Sequence, residues 1–260
     1  MLHEYNMDGF SEIRAMTDII LGMGEMGETL FDLLIERGFN CIGIDIDNSK
    51  CKNYSENSTI KNPEFLHVCL PGELTEFEEL VLSWISKIKD LKVIVIHSTV
   101  KPGTTKNIQK KSKTPILFSP IRGVHTRFLE DIKYYTKFVA SDEKQIDPEI
   151  KSGFEKRFQK VDWISTTKTA ELAKLLVDTT YYGWLINYAQ ITKMICEKEG
   201  VDFDEMWKFA DEIQDKLHNR PKMYPGIIEG HCVIPNLSLI ENENLDMIRK
   251  INELYEKFKK

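Results

Sequence analysis

The stretch that most restricts the fold is residues 21–47, LGMGEMGETLFDLLIERGFNCIGIDID. Gly22, Gly24 and Gly27 form G-x-G-x-x-G directly after the apolar run Asp18-Ile19-Ile20-Leu21 and before a segment with helical periodicity at Leu30, Leu33 and Leu34. A second apolar run, Cys41-Ile42-Gly43-Ile44, follows and ends on Asp45. Glycines at this spacing are common by chance. Strand, glycine turn, helix, strand and terminal acid in this order make a βαβ unit of the dinucleotide-binding kind.

Each part has a physical task. Gly22 permits a sharp turn out of the strand, Gly24 lets a pyrophosphate approach the backbone, and Gly27 lets the helix lie against the sheet. The main-chain N–H groups around Met23, Glu25 and Met26, at the positive end of the helix, are then the expected diphosphate contacts. Asp45 lies 18 residues past Gly27, where its carboxylate can accept hydrogen bonds from both ribose hydroxyls and repel a 2′-phosphate. The expected cofactor is therefore NAD rather than NADP, although Lys50 lies close enough to temper that preference.

The rest of the chain reads as α/β. Phe65 to Leu70, Val93 to Ile96, Ile116 to Phe118 and Lys137 to Ala140 bring the sheet to about six strands, with helical spacing at Phe77, Leu80, Val81, Trp84 and Ile85 between two of them. Ser49 to Asn62 is polar, with room for one small helix. Ligands in such sheets bind beyond the carboxyl ends of the strands, so Leu70, Pro71, Ser98, Thr99, Ser119 and Pro120 are expected to share a crevice with Asp45.

The character changes near Thr166. Residues 166–200 read as one long helix of roughly 50 Å at 1.5 Å per residue. It is too long for one small sheet domain to cover, so it is expected to form the spine of a helical domain and the seam of a homodimer, anchored by Tyr181, Tyr182 and Trp184. A further helix over 201–217, a Pro- and Gly-rich loop over 219–235 and a terminal amphipathic helix through Leu245, Ile248, Ile251, Leu254 and Phe258 complete the chain. The resulting division is an N-terminal extension (1–15), a Rossmann domain (16–165) and a helical domain (166–260).

Bulk properties narrow the function classes. A net charge of -6 and a pI near 5.6, with the signs interspersed, leave no basic face for nucleic acid. No apolar run reaches the ~18 residues that span a bilayer, and the opening residues lack a secretory pattern. Five cysteines without C-x-x-C spacing indicate neither a disulfide framework nor a metal site, and a reducing cytoplasm fits them best.

Three segments in order, the glycine unit, His97-Ser98-Thr99-Val100-Lys101-Pro102-Gly103 and TAELAKLLVD (169–178) with EGHCVIPN (229–236), resemble the nucleotide-sugar 6-dehydrogenases, the UDP-glucose/GDP-mannose and UDP-N-acetylmannosamine dehydrogenase family. That family lies within the 6-phosphogluconate dehydrogenase-like superfamily. The resemblance runs from about Thr17 to Asn252 and covers the family's first two domains, not the third, which holds much of the substrate's nucleotide. It implies a doubly wound parallel sheet followed by a helical 6-phosphogluconate dehydrogenase-like domain.

The resemblance also implies roles. Cys232 would attack the aldehyde made by a first hydride transfer, with His231 and loop N–H groups favouring its thiolate, and a second transfer would give a thioester for water to hydrolyse. Lys174 would stabilise developing oxyanion charge, and Thr99 corresponds to a threonine near the catalytic water. Three positions depart from the family: Asp178 stands where Asn is expected, Ile121 where Glu is expected, and Asn236 where Asp is expected. Lys174 and Asp178, four residues apart, share a helix face, and an anion there weakens the pull of the ammonium on an oxyanion.

Three functions are consistent with these residues: an NAD-dependent dehydrogenase acting on an alcohol of a nucleotide sugar or smaller substrate, a β-hydroxyacid dehydrogenase-like enzyme suggested by the G-x-G-x-M-G form of Gly22 to Gly27, and a catalytically degenerate NAD-binding protein.

Overall fold

The computed structural model describes residues 16–55, 60–123, 127–143, 145–230, 232–240 and 242–260. The expected N-terminal extension and His231 lie outside them.

Strand β1 (Thr17–Leu21) is buried along its length, and alternate side chains feed two cores. Ile20 packs with Leu30, Leu33 and Leu34 of helix α1 (Glu25–Glu36), whereas Ile19 packs with Phe77 and Val81 of helix α2 (Phe77–Lys87) on the opposite face. Being covered on both faces explains why the inner strand β4 (Val93–Ile96) is a continuous apolar run and why its neighbour β3 (Pro63–Val68) is buried along most of its length. Strand β2 (Asn40–Ile44) forms one edge. Helix α3 (Thr104–Lys111) joins the second face through Ile108. Helices α4 (Phe128–Tyr134) and α5 (Pro148–Arg157) join the first through Phe128, Ile132 and Phe154.

The sheet has seven strands in the order β2-β1-β3-β4-β5-β6-β7, with β5 (Ile116–Phe118), β6 (Lys137–Ala140) and β7 (Val161–Ile164) completing it. Two features differ from the sequence expectation of about six strands. β7 is a seventh strand, hidden in the sequence because VDWI alternates and stays partly exposed. β6 runs antiparallel to β5 through Phe118 and Ala140, while the other neighbours are parallel. This architecture is a mostly parallel Rossmann-like sheet with helices on both faces. Its order reverses at β1, so the carboxyl ends of β1 and β3 flank the switch-point crevice.

A buried polar row crosses the first face. The Asp18 carboxylate accepts from Arg157 Nε at 2.7 Å and Nη2 at 2.6 Å, and Glu64 accepts from the same guanidinium at 2.8 Å. His67 lies 3.6 Å from Asp18, His67 Nδ1 is 2.9 Å from His97 Nε2, and Lys137 Nζ is 3.2 Å from His97 Nδ1. Burial holds both imidazoles below the usual histidine range. Lys137 also donates to the Ser119 and Pro120 carbonyls, at 2.7 and 2.9 Å, which fixes the turn beyond β5.

The second half is helical. Helix α6 (Thr167–Ala173) and helix α7 (Tyr181–Glu199) are continuous through a π-helical segment, Lys174–Thr180. The long helix expected over 166–200 is thus present with a widened turn at its middle. Helix α8 (Phe203–Leu217) packs on α7 through Phe203 and Trp207. Helix α10 (Glu243–Lys259) packs against α7 where Gly183 leaves room, since a Cβ there would come within 3.1 Å of Ile248. The stretch expected as loop over 219–235 turns into a short helix, α9 (Val233–Asn236), and where a small helix is expected within 49–62 the described residues have a 3-10 turn, Asn48–Lys50.

Candidate active site

The glycine turn has the shape its sequence demands. Gly22 adopts φ 91°, and a Cβ there would sit 2.8 Å from the Cys69 carbonyl oxygen at the end of β3. A Cβ on Gly27 would lie 1.8 Å from the Gly22 oxygen, so only glycine lets α1 start this close to the strand. Gly24 is exposed and would meet nothing within 4 Å. The space above it is a cradle at the amino end of α1, where helix N–H groups and the macrodipole favour an anion. Met23 is buried against Gly43, Glu25 is exposed, and Met26 is half-buried against the first core.

Asp45 braces this turn from the end of β2. Its Oδ2 accepts from the Met23 N–H at 2.6 Å and its Oδ1 from the Asp47 N–H at 3.0 Å. Each carboxylate oxygen keeps a second lone pair for a ribose hydroxyl. Ile46 beside it is fully exposed. The residues present therefore fit a dinucleotide, with its diphosphate over Gly24 and its adenosine ribose at Asp45.

The neighbouring strand ends close over the same edge. Leu70 is half-buried and Pro71 exposed, and Gly72 abuts the Thr99 carbonyl so closely that a Cβ would lie 1.7 Å from its oxygen. Ser98 is fully buried with its Oγ donating to the Val68 carbonyl at 3.4 Å, so it joins strand ends from below the crevice. Thr99 is half-buried beside it. The loop that follows is tied to the helical region by Glu171 of α6, whose buried carboxylate accepts from the Gly103 N–H at 2.5 Å and the Thr105 N–H at 2.9 Å at the start of α3. Burial raises its pKa against these contacts.

Lys174 opens the π-helical segment one turn further along, and this widened helix carries the polar centre of the site. Thr179 Oγ1 donates to the Lys174 carbonyl at 3.3 Å and Thr180 Oγ1 to the Leu176 carbonyl at 3.1 Å, supporting carbonyls that a regular α-turn would use differently. Lys174 Nζ stands 3.4 Å from Asp178 Oδ2. Asp178 also accepts from Arg122 Nε, at 3.1 Å on Oδ1 and 2.9 Å on Oδ2. Burial holds the Lys174 ammonium below its ordinary pKa, with Asp178 and Cys232 pulling up and Arg122 pushing down.

Cys232 is exposed at the start of α9, and its electrostatic surroundings include Lys174 and Glu25. The Cys232 thiol thus feels charges from two sequence-distant elements, the π-helical lysine and the amino end of α1. Among the described residues, partial burial and Glu25 raise the Cys232 pKa above its ordinary value and Lys174 lowers it; His231, expected to favour the thiolate, lies outside the described residues. Asn236, four residues on, is buried in α9. Ile121 is buried in the first core, so the position where the family carries Glu contributes packing rather than an acid.

Sequence reasoning missed several residues. Arg122 is one, and the amide cluster that holds the cysteine loop is another. Asn252 Oδ1 accepts from the Ile228 N–H at 2.7 Å and from Gln190 Nε2 at 2.9 Å, and Gln190 Nε2 also donates to the Gly226 carbonyl at 2.6 Å. Polar residues on the apolar faces of helices were the signal. A recess lined by Phe39, Glu64, Ser152 and Arg157 lies at the amino ends of the strands, away from these groups. Among the described residues no cluster of His, Cys, Asp or Glu could hold a metal ion, and no helix is long and apolar enough to cross a membrane.

The fold and this edge define a Rossmann-like α/β protein with a helical second half, the architecture of a large class of dehydrogenases. No family model matches the chain. It is 24% identical to the UDP-N-acetyl-D-mannosamine dehydrogenase of Methanococcus maripaludis over 280 aligned positions, covering 90% of this chain and 64% of that protein. The UDP-D-ManNAc dehydrogenase of Pyrococcus horikoshii superposes with a TM-score of 0.77 at 19% identity, over 94% of this chain and 69% of the other. The 3-hydroxyisobutyrate dehydrogenase of Mycobacterium tuberculosis superposes with a TM-score of 0.63 at 13% identity, over 94% of both chains. The chain is thus similar to nucleotide-sugar dehydrogenases, and it spans 64% of the length of the first curated relatives.

Proposed function

We propose that the chain is an NAD-dependent dehydrogenase that oxidises an alcohol carbon of a nucleotide sugar. The observation that supports this reading is that Lys174 and Glu25, the latter at the amino end of α1 where the cofactor diphosphate fits, both act on the Cys232 thiol. Bound NAD supplies the hydride acceptor. Gly24 leaves room for the diphosphate, Met23, Glu25 and Met26 present the turn, and Asp45 accepts the ribose hydroxyls. Lys174 stabilises negative charge on the substrate oxygen as its carbon is oxidised. Cys232 is the nucleophile towards an aldehyde carbon, its thiol proton leaving as the carbon–sulfur bond forms. Leu70, Pro71 and Thr99 line the edge over which substrate enters, with Ser98 supporting them from below and Asn236 supporting the cysteine loop.

The test is absorbance at the reduced-cofactor band with NAD, NADP and a panel of nucleotide sugars, followed by acid analysis of the products. Turnover with NAD and acid formation abolished in Cys232→Ala supports the reading. Binding of NAD without turnover across the panel sinks it in favour of a catalytically degenerate NAD-binding protein. A second reading, motivated by the G-x-G-x-M-G form of Gly22 to Gly27, is a β-hydroxyacid dehydrogenase-like enzyme that uses Lys174 without the thiol, for which Cys232→Ala keeps full activity.

The same reading includes a homodimer. Val177, Tyr181, Trp184, Tyr188 and Ile195 repeat at spacings of three, four and seven along one helical face and are 37–66% exposed. The site's cytoplasmic setting follows the free cysteines Cys41, Cys51, Cys69, Cys196 and Cys232. Sedimentation of wild type against Tyr188→Glu tests the dimer; equal masses at the monomer value contradict it.

A further inference from the structure

The Asp178 carboxylate is held by two cations, and the contacts are unequal. Arg122 Nε reaches both oxygens, at 3.1 and 2.9 Å, whereas Lys174 Nζ reaches only one, at 3.4 Å. Arg122 itself is fixed, its guanidinium carbon lying 5.2 Å from the Tyr135 ring centre and 5.5 Å from that of Phe138. Its backbone position is set by the turn that Lys137 clamps through the Ser119 and Pro120 carbonyls. All three charged side chains are partly buried, with 30%, 19% and 15% exposure for Arg122, Asp178 and Lys174, so solvent screens them incompletely.

The charges decide what Lys174 can do. With Arg122 present, two cations share one anion and the cluster retains a positive charge to meet an oxyanion. Without it, Asp178 and Lys174 would neutralise each other as an ordinary helical pair. We propose that Arg122 is a positioning residue for Lys174: by engaging the Asp178 carboxylate it keeps that anion from closing on the ammonium, which stays available to substrate. This deepens the dehydrogenase reading and rests on it for the role of Lys174. It also explains how Asp is tolerated at 178, since the arginine cancels the anion that Asp brings.

The groups acting on Lys174 are Asp178 on its own helix, Arg122 after β5, Cys232 at the start of α9 and Lys137 on β6. The test is a double-mutant cycle on the full chain with Arg122→Gln, Asp178→Asn and the double variant, plus Arg122→Lys. Lysines are reductively 13C-methylated, and the Lys174 resonance is assigned by its loss in Lys174→Arg and titrated by NMR. Arg122→Gln is expected to move the Lys174 titration to higher pH and Asp178→Asn to lower pH; because Arg122 acts through Asp178, the double variant should titrate close to Asp178→Asn alone, well below the simple sum of the two shifts. Arg122→Lys, which keeps the charge and loses the fork, gives a smaller upward move. In turnover, Arg122→Gln lowers kcat about tenfold, equivalent to about 1.4 kcal/mol, and the double variant recovers most of it.

A Lys174 titration unmoved by Arg122→Gln, or effects that simply add in the double variant, overturns the assignment. If Arg122→Gln does not fold, Arg122→Lys decides in the same way, a stationary titration being fatal. The titration needs no substrate, so wild type without turnover refutes the dehydrogenase reading and leaves the Arg122 assignment to be judged on its own.

Discussion

Replacing Gly24 with Ala separates a ligand's space from a packing space. Gly24 has φ -71° and ψ -173°, which alanine adopts without strain, and its Cβ would meet nothing within 4 Å. The stability of Gly24→Ala should therefore stay within about 0.5 kcal/mol of wild type. NAD affinity should fall at least about tenfold, or 1.4 kcal/mol, because the methyl occupies the approach of the diphosphate to the turn. Gly27→Ala provides the contrast. Moving its Cβ from 1.8 Å to an ordinary 3.4 Å from the Gly22 oxygen displaces backbone by about 1.6 Å, a strain of roughly 1–3 kcal/mol. That variant should lose stability as well as affinity. Urea unfolding and calorimetric NAD titration of both variants supply the numbers. A Gly24→Ala protein that binds NAD as wild type does would refute the reasoning, because the open space above residue 24 would then belong to no ligand.

The buried polar row gives further expectations. His67 and His97 are held below their ordinary pKa of 6.5, so the unfolded chain binds protons that the folded chain refuses as pH falls below 6.5. Stability is full above that pH and should fall on acidification by up to about 1.4 kcal/mol per pH unit for each proton. Urea midpoints at pH 7.5 and 5.5 check this, and equal midpoints contradict it. Asp18→Asn leaves Arg157, 2% exposed, with one carboxylate partner, Glu64, and should cost roughly 3–5 kcal/mol by thermal or urea unfolding. A loss below about 1 kcal/mol would show that the pair is dispensable.

What the sequence makes legible follows from which forces act locally. The βαβ unit is readable because strand, turn and helix signals lie within residues 18–45 and the glycines answer a local steric demand. The presence of the remaining strands is readable from apolar runs, except β7, whose half-exposed VDWI carries little apolar signal. The antiparallel pairing of β6 with β5 is a tertiary feature that no periodicity reports. Lys174, Asp178 and Cys232 are readable as candidates through resemblance. Their electrostatic balance is not, because Arg122 and Glu25 reach them only through tertiary folding. The π-helical turn is likewise hidden, since its residues continue an apolar helical pattern while their hydrogen bonds widen.

The most direct measurement is a crystal structure of the chain with NAD bound. The account predicts diphosphate oxygens within about 3.2 Å of main-chain nitrogens in the turn at residues 24–26, hydroxyls of the adenosine ribose on Asp45, and the nicotinamide ring facing Lys174 and Cys232. Dinucleotide bound elsewhere, or a nicotinamide pointing away from both side chains, would contradict it.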